Sequence, residues 1–252
     1  MKFWVLKKKT IGNILLGLTA LIAVVIVFVA PPIKQDESYH QFSDQVMLFG
    51  IPNFLNVVSN VPFLVVGVMG LLRLSSIVSA SKVQYLLFFL GVALVAFGSG
   101  YYHLHPSNST LVWDRLPMTI AFMALFSIVI SEFVNEALGR KLLLPLLIVG
   151  LLSIVYWLVF NDLKVYVLVQ FYPIVAILIS LIFFQSSYTL KWGYWLLVLA
   201  YIVAKVFEHF DAATHQLFGW LSGHTLKHIS AAAGIYLLLL TYQKRKAISN
   251  KL

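Results

Sequence analysis

Eight stretches of mostly apolar residues dominate this chain, at roughly 11 to 30, 53 to 72, 84 to 104, 116 to 137, 142 to 160, 165 to 185, 193 to 211 and 223 to 242. Each is about the length a helix needs to cross a bilayer at 1.5 Å per residue. Within hydrocarbon a segment has to satisfy its own backbone polar groups, so such a chain folds as helices packed side by side. Composition agrees: of 252 residues, 61% are hydrophobic and 11% charged, with a mean hydropathy of +0.92. A soluble domain carries roughly 25% charge to cover its surface. There is no cysteine, which excludes a disulfide scaffold and confines any metal site to His, Asp or Glu. The expected fold class is all-α, a polytopic membrane helix bundle of eight spans.

The net charge of +9 and pI near 9.6 invite a nucleic-acid reading, but the positions of the basic residues argue for topology instead. Counted on alternate sides of the spans, 13 of the 18 Lys and Arg fall on one side, among them Lys2, Lys7 to Lys9, Arg140, Lys141, Lys244 to Lys246 and Lys251. Lys34, Arg115 and Lys164 fall on the other, with Lys205 and Lys227 in or at the edge of spans. The positive-inside rule then puts both termini in the cytoplasm of a multi-pass plasma (inner) membrane protein. Asn108 lies outside and Ser249 inside, and no nucleic-acid partner is expected. The first span resembles a signal peptide in its basic start and in Phe28-Val29-Ala30. Its long apolar core and Pro31 mark it as a retained anchor. No linker interrupts the rest. The division expected is 1-50 (N-terminus, first span, outer loop), 51-242 (the remaining seven spans) and 243-252 (a basic tail).

Ionisable residues inside spans are costly and are functional candidates by default. Here they gather at four outer helix ends: Gly98-Ser99-Gly100-Tyr101-Tyr102-His103, Trp113-Asp114-Arg115-Leu116-Pro117, Lys205 to Asp211, and Ser222-Gly223-His224-Thr225-Leu226-Lys227-His228. His224 and His228 are four apart, so on a helix they share a face and can chelate one ion. Alone, such a pair is better read as two interfacial, hydrogen-bonded histidines. Catalytic zinc takes three protein ligands and keeps a fourth position open, and His103 is the third histidine at the same depth. Ser99 sits one turn from His103 on the same face. The sequence Pro106-Ser107-Asn108-Ser109 ends that helix before His105 can join.

The remaining polar residues have plainer readings. Lys205 and Glu208 form an i, i+3 ion pair. Asp211 either orients a ligand histidine or sits at the interface. Asn53, Asn56 and Asn60 form a stripe suited to interhelical hydrogen bonds. His40, His209 and His215 are expected to face the interface or water.

Taken in order, the Ser-x-x-x-His of 99 to 103, Asp114 eleven residues beyond, and the distant His224-x-x-x-His228 closely resemble the alkaline ceramidase family, over roughly residues 50 to 242. That family belongs to the CREST superfamily of seven-helix membrane hydrolases, with the progestin and adiponectin receptors and enzymes that remodel GPI-anchor lipid. The resemblance implies a seven-helix core preceded by one extra helix, with Asn53 to Asn60 in the first core helix. It also implies a zinc ion on His103, His224 and His228, with Ser99 and Asp114 lining the site. Eukaryotic members carry an acidic, Asp-Trp-containing calcium segment before that helix. The stretch here, Tyr39 to Asp44, has only Asp36, Glu37 and Asp44 nearby. It looks more like bacterial members and argues against calcium as a second cofactor.

The expected activity is intramembrane zinc-dependent cleavage of the amide of a ceramide-like or other N-acyl lipid. Asp114 would serve as general base and acid, and Ser99 as donor to the oxyanion. Two alternatives use the same residues: an ester-cleaving lipid remodeller or phospholipase, and a receptor or transporter with structural zinc. Asp114 separates the second, because a structural metal has no use for a free carboxylate beside an open position.

Overall fold

Residues 2–248 are described by a computed structural model; Ser249 and Lys251, both assigned above to the inner side, lie outside them. The eight apolar stretches are all helical. They comprise α1 (Lys2–Val29), a broken span of α2 (Phe54–Val58) and α3 (Val61–Leu72), α4 (Lys82–Leu104), α5 (Asn108–Val129), α6 (Glu136–Phe160), α7 (Lys164–Phe183), α8 (Trp192–His209) and α10 (Gly223–Lys244). The short α9 (Asp211–Phe218) links the last two. Among the described residues, six segments, those of α1 to α7, are long and apolar enough to cross a membrane. The polar ends of α8 and α10, carrying Lys205, Glu208, His224, Lys227 and His228, are what lower their hydropathy.

α4 is the central helix, packed between α3 and α5, while α10 packs on α8 and α3, and α6 on α5 and α7. α1 leans on α7 and leaves most of its apolar side chains exposed, as suits a lipid-facing peripheral helix. The extended segment after α1 is tied back at Asp162, between α6 and α7. Its carboxylate accepts from the backbone N–H of Ile33 at 2.9 Å and of Lys164 at 3.1 Å, and from Tyr156 at 3.1 Å. Burial pushes the Asp162 carboxyl up, but these donors and the Lys164 ammonium hold it below the usual carboxylate range.

Three sequence expectations shift. The fourth span starts at Asn108 rather than near 116, because Ser107 and Thr110 form a reciprocal capping box that launches the helix early. The second span breaks at Ser59-Asn60, where Pro62 has no N–H to donate and the Asn60 amide bonds to the Asn56 carbonyl at 2.8 Å. Arg245, counted with the basic tail, is 4% exposed. Its guanidinium bonds Glu132 at 2.6 Å and the Val78 carbonyl at 2.6 Å, and lies over Tyr188 and Tyr242. This buried pair latches the end of α10 onto α4 and the π-helical turn that follows α5.

Candidate metal centre

Two helices deliver the histidines, and a third braces one of them. His103 comes from the last turn of α4, and His224 and His228 from the first two turns of α10. They are 1%, 5% and 4% exposed, and one ring nitrogen from each lies within 4.8 Å of the others. The Nε2 atoms of His103 and His224 face each other at 3.3 Å. Two nitrogens on a tetrahedral zinc at 2.0 to 2.1 Å stand about 3.4 Å apart, so this spacing suits a shared ion. The third helix is α2: its C-terminal Ser59 hydroxyl meets His228 Nδ1 at 2.8 Å, which leaves Nε2 of that ring for the centre. His103 Nδ1 is buried with no hydrogen-bond partner, and the ring is held by packing against Phe42 and Tyr102. The donor set fits a borderline-soft divalent ion.

Local structure explains why these residues converge. Pro117, lacking an N–H, cannot bond the carbonyl of Trp113 four residues back. A Cβ on Gly98 would collide with that same carbonyl, so only glycine allows α4 and α5 to touch there. The next residue on each helix is Ser99 and Asp114, which brings the Ser99 hydroxyl beside the Asp114 carboxylate in the lining of one cavity. Gly223 plays the same part before His224, where a Cβ would meet the Phe207 carbonyl and the Asp211 backbone. We expect Gly98→Ala to push α5 off α4 and to slow turnover by up to about 10²-fold, the scale of a 1 Å misplacement, with metal content unchanged. Unaltered turnover in this variant means the Ser99 and Asp114 contact is not used.

The other polar residues fall into place around this centre. Asp211 accepts from the backbone N–H of His224 at 2.7 Å and of Ser43 at 2.9 Å, so it fixes the start of α10 and not a ligand ring. Glu208 pairs with Lys205, as its spacing suggests, and also with Lys227 at 2.8 Å. The Lys227 ammonium is 3.3 Å from His224 Nε2. Asn53 and Asn56 do bond between segments, Asn53 to the His103 carbonyl at 2.8 Å and Asn56 to Thr225 at 2.9 Å. His209 is exposed, against Phe210. His40 and His215 depart from expectation: His40 bonds Tyr102 at 2.8 Å and Asn108 at 3.0 Å, and His215 bonds Ser43 at 2.8 Å. Both tie the loop after α1 to the helix ends, and partners at such sequence distance leave no local signal. Ser59 was missed for the same reason. Of the acids near the loop, Asp36 caps the turn at Ser38, Glu37 meets Asn108, and Asp44 bonds the Val46 N–H.

A cavity of about 290 Å³, close to the size of a small-ligand site, opens beside His228. Its polar lining comes from helix ends, including Ser99, Asp114 and Lys227, and its apolar lining from deeper turns, including Phe88, Val92, Leu125 and Ile235. From Ser99 to Phe88 along α4 is about 16 Å at 1.5 Å per residue. α7 and α8 barely touch, and an apolar groove along their seam shares Ile174, Val198, Tyr201 and Lys205 with the cavity.

Comparison with curated proteins gives no significant match. The family model described as Ceramidase matches residues 43–251. The match takes in Ser99, His103, Asp114, His224 and His228, and the chain belongs to the ceramidase family.

Proposed function

We propose that this protein is a zinc-dependent hydrolase that cleaves the amide of a ceramide-like or other N-acyl lipid within the membrane. The observation that carries the reading is a cluster of three buried histidines, one of which, His228, lines the end of a deep apolar cavity together with a carboxylate outside the cluster, Asp114. Family membership supports an amide-cleaving activity and a metal requirement. His103, His224 and His228 would hold the ion, which when bound supplies Lewis acidity towards the acyl carbonyl and acidifies water at its open position.

The chain's own groups do the rest. The apolar wall from Phe88 to Ile235 takes the acyl chain and excludes water around it. Asp114 accepts the proton of the attacking water on a carboxylate oxygen and returns it to the leaving nitrogen as the C–N bond breaks. Once Asp114 holds that proton it no longer needs the Ser99 hydroxyl, which lies beside it in the cavity lining and turns to donate to the oxygen that gains charge. The products are a fatty acid and an amine. The seam between α7 and α8 offers the lipid a sideways path from the bilayer. The deciding experiment is metal analysis of the purified protein with a screen for fatty acid released from amide and ester lipids. Metal without release from any amide defeats the reading, and release from esters alone favours a remodeller.

We further propose that the centre lies near the outer leaflet, with both termini cytoplasmic. Ser109 is exposed at the α4–α5 turn, and Lys244 at the end of α10. In this cysteine-free chain, Ser109→Cys is expected to react with an impermeant thiol reagent outside intact cells, and Lys244→Cys only after lysis. The reverse pattern inverts the topology.

A further inference from the structure

The polar end of the cavity carries more positive charge than its own carboxylates can neutralise. Five of its lining residues are Asp114, Arg115, Lys205, Glu208 and Lys227, three cations against two anions. Both lysines lean on the single Glu208. Arg115 has no carboxylate in ion-pair contact among the described residues. It is 7% exposed, its Nη2 bonds the Gln35 side-chain oxygen at 2.7 Å, and its Nη1 is buried without a hydrogen-bond partner. The guanidinium carbon lies 4.5 Å from the Trp157 ring centroid and 4.7 Å from that of Tyr166. Aromatic faces offset part of the cost of burying a cation. They do not accept the in-plane hydrogens of Nη1, and an unmet buried donor on a charged group is expensive.

We propose that Arg115, backed by Lys205 and Lys227, seats an oxyanion on the head of the lipid, so that the favoured substrate is an N-acyl lipid whose amine part bears a carboxylate or phosphate. The inference rests on the hydrolase reading for the word substrate, but the seat itself is testable by binding alone. A neutral, hydroxyl-bearing head leaves the cavity with uncompensated charge. An anionic head accepts from Nη1 and balances the two lysines that share one glutamate. A divalent ion on three neutral imidazoles adds to the same positive field.

The test compares non-cleavable amphiphiles of one chain length on metal-loaded protein in neutral-lipid nanodiscs: hexadecyl phosphate and the monohexadecyl ether of triethylene glycol. The phosphate is expected to bind about tenfold or more tightly, the scale of one charge-assisted hydrogen bond. Arg115→Gln should abolish that preference and leave the ether's Kd unchanged, while Arg115→Lys should keep part of it. If Arg115→Gln does not fold, Lys205→Gln replaces it, with a smaller loss of preference expected. Equal binding of the two amphiphiles by the unaltered protein overturns the proposal, as does an equal loss for both in Arg115→Gln. Displacement of hexadecyl phosphate by millimolar inorganic phosphate also overturns it, because the site would then serve a free anion. A second arm measures hydrolysis of N-palmitoylglycine against N-palmitoylethanolamine, with kcat/KM expected to favour the glycine compound through KM. An anion preference in binding with neither amide cleaved leaves the seat standing and defeats the hydrolase reading. Equal cleavage with equal binding does the opposite.

Discussion

Replacing His228 by alanine is expected to empty the metal centre and abolish metal-dependent hydrolysis, and His224→Ala should do the same. Both rings are nearly fully buried, and both belong to the one histidine cluster able to hold an ion among the described residues. A catalytic zinc site has three protein ligands, so loss of one leaves too few to retain the ion. The structure adds a graded control. Ser59 holds Nδ1 of His228 at 2.8 Å, and its other side-chain hydrogen bond goes to the Asn56 carbonyl at 3.1 Å, not to either of the other two rings. Removing an outer-shell partner typically costs about 10 to 100-fold in metal affinity, so Ser59→Ala should fall in that range and His228→Ala well beyond it. Metal content by mass spectrometry on purified, folded protein measures both. Near-stoichiometric metal in His224→Ala and His228→Ala would sink the ligand assignment, whatever the activity.

Asp114→Asn is expected to leave fold and metal content intact and to reduce turnover by about 10² to 10⁴, the usual worth of general acid and base assistance. The change keeps shape and the ability to accept from Ser99 while removing the proton acceptor. The structure narrows what a contrary result means. Both carboxylate oxygens of Asp211 are engaged by backbone N–H groups, and Glu208 is shared by two lysines, so neither is free to take a proton. Full activity in Asp114→Asn with metal still bound therefore removes the carboxylate base from the mechanism altogether. Loss of metal instead makes Asp114 a ligand or the support of one.

The helices and the histidine pair were legible in the chain because both are local properties. A twenty-residue apolar run reports its own length, and an i, i+4 spacing reports its own helix face, whatever surrounds it. The same logic reached Ser99 with His103, one turn apart. It could also gather His103, Asp114 and His224 by depth, since each lies at the same end of the bundle. What depth cannot say is who touches whom around the bundle axis, and that is set by packing between segments far apart in sequence. Ser59 reaches His228 from the break in the second span, just ahead of Pro62. Ser99 meets Asp114 because Gly98 lets α4 ride against the Trp113 carbonyl that Pro117 leaves unbonded. Asp211 turned out to hold a backbone, and Arg245, which by position alone counts towards membrane topology, is buried on Glu132. Charge and hydropathy along the chain thus decided that this protein is a membrane helix bundle with chemistry at one end. The close approach of helices, which depends on the size of single side chains at each crossing, decided which of the polar residues face the cavity and which only hold the helices in place.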